Sequence, residues 1–349
     1  MEAQYFSAMF LLVIVSSAGA YASDLPTPVE GLSWTFYNDS CPTLQSIVQS
    51  TLQPLLEQNI TEAPGLLRLL FHDCFVQGCD ASILLNGTAS DPSEQQATPN
   101  LTLRAAAFEI INKIKEAVEA KCSGVVSCAD ILALTASYAV SMGGGPEFLV
   151  PLGRRDSLTF ANQTVTLASL PSPTSNVTVL MTIFTEKGFN NFTELVALSG
   201  AHTFGISHCS SFVNRLYPTQ DTTLNAAFAR ELEHTCPTNT TVNTTNLDIR
   251  TPNVFDIKYY IDLQNGEALL TSDEDLYNDT RTRQIVNGFA LNQTSFFNQF
   301  ALSMLKMVQL DVLTGAEGEI RKNCAVRNTN TSSYSIIDPA MGLSSSFSS

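Results

Sequence analysis

Leu66-Leu67-Arg68-Leu69-Leu70-Phe71-His72-Asp73-Cys74-Phe75 sets a guanidinium and an imidazole four residues apart in a run that is otherwise almost wholly apolar. The leucines predict a buried helix, and residues four apart on a helix stand on one side, so Arg68 and His72 project into the same space. A permanent cation beside the ring opposes its protonation, as does burial, and His72 is expected to stay a neutral base near pH ~7. Alone, the pair also fits a surface-directed arginine beside a hydrogen-bonded core histidine.

The rest of the chain limits the partners. Its 349 residues, 44% hydrophobic, suffice for one large or two modest domains with a real core. A formal charge of -15 with only 18 Lys plus Arg argues against nucleic acid, whose phosphates need clustered cations. Residues 1–22 read as a secretory signal peptide, with an apolar block from Met9 to Val15 and small residues at Ala18-Gly19-Ala20 or Ala20-Tyr21-Ala22. Its start carries Glu2 and no Lys or Arg. No later run approaches the roughly 20 apolar residues of a membrane span. Eight cysteines without a paired C-x-x-C arrangement, and twelve Asn-x-Ser/Thr sequons, point to disulfides and a secretory route.

Helical periodicity dominates. Leu103, Ala107, Ile110, Ile114, Ala117 and Val118 form one apolar stripe, and Phe297, Phe300, Ala301, Met304, Leu305 and Val308 another. Alternating strands are scarce, with short ones at most around Glu147 to Val150 and in the loop after His202. Pro64 suits the first turn of the Arg68/His72 helix. Asn191 and Glu194 make an Asn-x-x-Glu start before Leu195-Val196-Ala197-Leu198. Pro171 to Asn176 reads as a turn-rich loop, Thr238 to Thr245 as a solvated Thr/Asn tract, and residues 328–349 as a flexible Ser/Thr-rich tail after a domain of residues 23–327. Glu194 to His202 reads as a helix on which Ser199, Gly200 and Ala201 are small enough to admit a planar group beside His202. An imidazole at a helix end is also a common structural feature, and the chain has three other histidines, His72, His208 and His234.

Arg68-Leu69-Leu70-Phe71-His72-Asp73-Cys74-Phe75-Val76-Gln77-Gly78-Cys79-Asp80-Ala81-Ser82, followed by Leu198-Ser199-Gly200-Ala201-His202-Thr203-Phe204-Gly205, resembles the secretory plant haem peroxidases of class III. Val126-Ser127-Cys128-Ala129-Asp130-Ile131 and Leu152-Gly153-Arg154-Arg155-Asp156 extend the likeness, which runs collinearly from about residue 32 to Cys324. The resemblance implies a mainly α, two-lobed, all-helical fold with few short strands and haem b between a distal and a proximal lobe. It implies that His202 is the proximal iron ligand and that its other ring nitrogen bonds Asp273, pushing electron density toward iron. It makes His72 the general acid/base that takes a proton from hydrogen peroxide and returns it to the departing oxygen. Arg68 then stabilises the negative charge that develops, Phe71 shields the pocket and Asn100 orients His72 with Glu94 behind it. Asn100 also begins the sequon Asn100-Leu101-Thr102, so an asparagine facing the pocket cannot carry a glycan. Small phenolic donors giving one electron each are the implied reductants, meeting the haem edge near the Pro171 backbone.

Asp73, Val76, Gly78, Asp80 and Ser82 offer the hard oxygen of side chains and carbonyls that suits Ca²⁺, with Glu94 joining through water. Thr203, Asp248, Thr251, Val254 and Asp256 resemble the family's proximal site for a second Ca²⁺. Either loop alone would pass for a solvated acidic turn. Eight cysteines permit 105 pairings. The resemblance implies Cys41 with Cys122, Cys74 with Cys79, Cys128 with Cys324 and Cys209 with Cys236, and it makes Asp130 and Arg154 a structural ion pair. Ile206, His208, Thr174 and Ser211 depart from residues seen in many relatives, which bears on the donor more than on the peroxide chemistry. The expected protein is a secreted monomer of the cell wall, with the vacuole open as a destination. Two rivals are a non-catalytic, calcium-stabilised wall glycoprotein of the same fold and a metal-dependent hydrolase using His72. Scaffolding needs none of Arg68, His72, Asn100, His202 and Asp273, and no close histidine pair supports the hydrolase.

Overall fold

A computed structural model describes residues 26–238 and 241–328. The signal peptide and all of the tail but Asn328 lie outside the described residues. Helices α1 (Leu44–Gln58), α2 (Ala63–Val76), α3 (Ala105–Glu119) and α4 (Cys128–Met142) build the first lobe. After α5 (Gln163–Ser169) and α6 (Val177–Glu186), the second lobe holds α7 (Phe192–Ser199), α8 (Ala226–Thr235), α9 (Lys258–Gln264), α10 (Thr271–Asn278), α11 (Arg283–Leu291) and α12 (Gln293–Met307). The protein is mainly α, as its periodicity predicts.

Helix α4 is buried from Cys128 to Val140, and it is rich in alanine, so α2 can settle closely along it. That contact hides Leu66, Leu69, Leu70 and Phe75 and leaves the Arg68/His72 side free for other work. Pro64 occupies the first turn of α2, where a missing N–H costs nothing. The α3 stripe buries Ala107, Ile110, Ile114 and Val118, while Leu103 lies just before that helix. In the second lobe, α7 lies against α12 and α9 against α11, around a cluster of Phe255, Tyr260, Phe289, Phe296 and Phe300.

Four disulfides join Cys41 to Cys122, Cys74 to Cys79, Cys128 to Cys324 and Cys209 to Cys236. Asp130 and Arg154 form a fully buried ion pair at 2.8 Å, with Tyr37 Oη donating to the same carboxylate at 2.8 Å. Each charge is thereby met where water cannot reach it.

Of the two places where the sequence allows a short strand at most, residues 147–150 form none. Pro151 cannot donate to a ladder, and pairing in this region is one isolated bridge between Ser33 and Leu152. The strand allowed after His202 exists: β1 (Ile206–His208) pairs antiparallel with β2 (Thr244–Asn246). Its partner comes from the end of the Thr/Asn tract, so that tract is not wholly solvated loop.

Candidate active site

Helix α2 presents His72 and Arg68 one turn apart, as the spacing requires. Arg68 Nε donates to His72 Nε2 at 3.1 Å. The rest of the guanidinium is anchored by the Thr102 carbonyl at 3.1 Å, the Pro99 carbonyl at 2.9 Å and Thr102 Oγ1 at 2.9 Å. On the far side of the ring, Nδ1 lies 2.6 Å from Asn100 Oδ1, and Asn100 Nδ2 donates to the Glu94 carbonyl at 2.7 Å. The amide's orientation is therefore set: its oxygen accepts Nδ1–H, and Nε2 keeps its lone pair. Burial and then the Arg68 charge push the His72 pKa down to about 3, against a smaller opposing pull from Asn100. Burial and Arg104 lower that of Arg68 to about 10, where it remains a cation. Phe71 stands edge-on to His72 at 5.5 Å and continues into Phe75.

His202 sits in a tight 3₁₀ turn, Gly200–Thr203, that ends α7. The expected α-helix thus stops at Ser199, and His202 belongs to the tighter turn that follows it. The α7 start is capped by Asn191 Oδ1, which accepts from Glu194 N at 2.8 Å. Gly200 plays another part than the one expected, because a Cβ there would collide with Tyr260 Oη and the Phe296 ring. Its smallness serves the packing of α7 against α9 and α12.

The His202 Nδ1–H donates to Asp273 Oδ1 at 2.8 Å, and Tyr259 Oη donates to the same oxygen at 2.8 Å. Burial pulls the His202 pKa down, but the Asp273 charge and hydrogen bond outweigh it, and the net shift is upward. The ring is deep in the protein, yet its side chain keeps 37% of its accessible surface. Such a ring lines an interior space. Arg68, on the other lobe, lies close enough to lower the His202 pKa slightly, so both histidines feel one guanidinium.

The lobes touch beside this space. Gly205, at φ +103, brings the chain after His202 so near α2 that a Cβ would lie 2.9 Å from Pro64 Cβ. Pro171, partly buried, opens the loop between α5 and α6, and the Pro173 carbonyl of that loop accepts from Ser272 N at 3.0 Å, next to Asp273.

The oxygen-rich loop after His72 is buried at Asp73, Asp80, Ser82 and Glu94. Asp73 accepts from the Ala81 N–H at 3.0 Å, and Asp80 from Ser82 N at 2.9 Å. Both Glu94 carboxylate oxygens and Ser82 Oγ lack a well-formed hydrogen bond, although Ser82 lies near enough to ease the Glu94 charge. Burial pushes Glu94 up to about 7 and raises Asp73 well above its ordinary value, with the Asp80 charge adding to the latter. Orphaned buried oxygens and confined carboxylates are what a hard cation would relieve. No group of three His, Cys, Asp or Glu among the described residues could hold a metal with side chains alone, so carbonyls such as those of Val76 and Gly78 would have to complete the shell. Lys187 Nζ donates to the Val76 carbonyl at 3.3 Å, and Gly78 O accepts from Asp80 N at 2.9 Å.

On the proximal side, Thr203 Oγ1 bonds Asp248 at 3.2 Å and Asp256 at 3.3 Å, and Thr251 Oγ1 bonds Asp256 at 2.9 Å. Val254 closes the turn through its N–H to Thr251 O at 2.9 Å. These five residues meet directly after His202. Sequence reasoning missed Thr102, Pro99 and Tyr259. The sequon brought Thr102 into view for another reason, and nothing in the spacing marks Tyr259.

The family model described as peroxidase matches residues 48–292. The chain is 54% identical over 303 residues to Peroxidase 12 of Arabidopsis thaliana, covering 87% of this chain and 84% of that protein. It is 53% identical over 304 residues to Cationic peroxidase SPC4 of Sorghum bicolor, covering 87% and 84%. Against Peroxidase 15 of Ipomoea batatas the identity is 46% over 303 residues, covering 84% and 91%. With a helical fold of this kind, and with matches that span most of every chain compared, the protein belongs to the class III plant haem peroxidases and is a peroxidase.

Proposed function

We propose that this peroxidase reduces hydrogen peroxide at a pocket formed by Arg68, His72 and Asn100 and oxidises small phenols at its rim. The observation that carries this reading is the directed chain Glu94 carbonyl, Asn100, His72 Nδ1, which leaves Nε2 unprotonated, its lone pair facing the Arg68 cation and accepting from Arg68 Nε. His202, with Nδ1 held by Asp273 and no hydrogen-bond partner for Nε2 among the described residues, fits a haem iron ligand. A haem bound there supplies the two-electron redox chemistry. The orphaned oxygens of Ser82 and Glu94 support a distal Ca²⁺ held with Asp73, Asp80 and the Val76 and Gly78 carbonyls. Thr203, Asp248, Thr251, Val254 and Asp256 would hold a proximal one.

His72 Nε2 takes a proton from the peroxide and delivers it to the departing oxygen, which leaves as water. Arg68 is bound to that same nitrogen at rest, so peroxide enters by displacing the Nε contact, while the Thr102 and Pro99 anchors keep the guanidinium aimed at the pocket. Its charge then meets the negative charge of the breaking O–O bond. Each phenol gives up one electron and one proton next to the Pro171 loop, and the two phenols oxidised per peroxide leave as phenoxyl radicals while the second peroxide oxygen is released as water.

The twelve sequons, four disulfides and leader-like N-terminus support secretion, with cleavage near residue 20 or 22. No helix among the described residues is long and apolar enough to cross a membrane. We assign the protein to the wall space or vacuole, as a monomer. Purified from a secretory host, it should show an intense Soret band, a five-coordinate ferric spectrum and peroxide-dependent oxidation of a simple methoxyphenol. A colourless folded protein would end this reading.

A further inference from the structure

We infer that Tyr259 is a positioning residue of the proximal side, setting through its hydroxyl how strongly Asp273 polarises His202. The inference rests on the proposed role of His202 as iron ligand and goes beyond it. Tyr259 Oη and His202 Nδ1 donate to one and the same oxygen, Asp273 Oδ1, each at 2.8 Å. A carboxylate oxygen shared by two donors is a weaker acceptor for each. The phenol thus holds back part of the negative charge that Asp273 would otherwise lend the imidazole.

The donor is permanent. Tyr259 is buried, and burial first, then the Asp273 charge, holds its pKa far above the ordinary tyrosine value, so the O–H proton stays in place. It is also fixed in position. The ring lies edge-on to His202 at 6.1 Å and to Tyr260 at 5.1 Å. It is the second residue of α9, and the start of α9 is tied to the loop after His202, with Lys258 N donating to Asp256 Oδ1 at 2.7 Å and Asp256 bonded to Thr203. Thr203 follows His202 directly, so one loop orients both donors to Asp273. A core tyrosine satisfied by whatever acceptor lay near would explain the burial. It would not predict that removing the oxygen changes the electronics of His202.

The test uses the haem-loaded full chain with Tyr259→Phe, which keeps the ring and deletes one hydrogen bond. With the phenol gone, Asp273 draws harder on Nδ1–H, and Nε2 becomes a stronger donor that favours the higher charge on iron. The ferric/ferrous equilibrium should move toward ferric by roughly fivefold, the size of a modest net hydrogen bond, and the ferrous iron–histidine stretching frequency should rise. A ring-fluorinated tyrosine at the same position is nearly isosteric and a stronger donor, so both readouts should move the other way. It also decides the matter if the phenylalanine variant loses haem. Haem-loaded variants with wild-type potential and stretching frequency overturn this inference and leave the peroxidase reading intact. A wild-type protein that takes up no haem overturns both.

Discussion

His72 and His202 are the same side chain tied by Nδ1 to two different partners: a neutral amide, Asn100, and a carboxylate, Asp273. The first pairing, in a buried site beside Arg68, drives the ring pKa down to about 3; the second raises it against the same cost of burial. A ring that refuses a proton at rest is a base ready to take one from substrate. A ring that carries excess negative charge from its carboxylate is a strong electron donor to a metal. On the proposed reading, the charge of the partner, not the histidine, divides the labour between the lobes.

Removing one ring at a time should break the symmetry most. His72→Ala is expected to slow the reaction with hydrogen peroxide by about 10²- to 10⁴-fold, the usual worth of a positioned acid/base, with haem still bound. Stopped-flow mixing with peroxide checks it, and a near-wild-type rate would remove His72 from that role. His202→Ala should instead loosen haem itself, seen as a lost Soret band after gel filtration.

Exchanging the partner sharpens the comparison. In the wild type, His72 is neutral above about pH 3, so the peroxide rate should be level across the neutral and mildly acid range and fall only as pH drops toward that value. Asn100→Asp gives the distal ring a carboxylate and raises its pKa toward the ordinary imidazole value, so a protonated, inactive ring appears at higher pH. A loss of at least ~tenfold near pH ~5, with little change near pH ~8, is the expected profile. An unmoved acid limb would mean that burial and Arg68 alone set the base. The same buried amide makes Asn100 a silent sequon, and a glycopeptide map showing sugar there would contradict the pocket.

Only the distal half of this contrast begins to be legible in the chain, because helical spacing fixes where side chains four apart must point. That Arg68 and His72 share one side follows from periodicity, and so does the helical class, whereas reading the pair as a peroxide site draws on the family resemblance. The Asn191 cap is equally local. The rest depends on contacts between distant segments. Asn100 and Asp273 are reached only through family resemblance, since no spacing rule ties residue 72 to 100 or 202 to 273. The disulfide pairing is reached in the same way. Gly200 misleads because a small residue says that something approaches, but not what: here it is Tyr260 and Phe296. No strand forms at 147–150, where Pro151 cannot donate to a ladder, and β1 finds its partner in a tract whose composition reads as loop.

Calcium offers a weaker but directional contrast. By linkage, each site at a hundredfold over its Kd should contribute about 2.7 kcal/mol, so chelation should lower the Tm by several degrees. The two sites should differ in what else they disturb. Asp80→Ala acts on the end of the helix that bears His72 and should depress the peroxide rate. Asp248→Ala acts beside Thr203 and should shift the spectrum of the haem while sparing that rate. Equal effects on both readouts would mean that the cations stabilise the protein as a whole and have no bias toward the nearer histidine.

The smallest expected effect concerns how each ring-bearing helix is held. Helix α2 has no side-chain cap and relies on Pro64 and burial along α4, whereas the eight-residue α7 depends on Asn191, with Glu194 reaching back to Asn190 N at 3.1 Å and across to Lys306 at 2.8 Å. Asn191→Ala should therefore cost about 1 kcal/mol, as cap removals do. The loss should fall on the proximal side: a Tm lower by a few degrees and faster haem release, with the peroxide rate unchanged. If the peroxide rate falls as well, the Pro64–Gly205 contact transmits strain between the lobes, and the two histidines are less independent than their separate partners suggest.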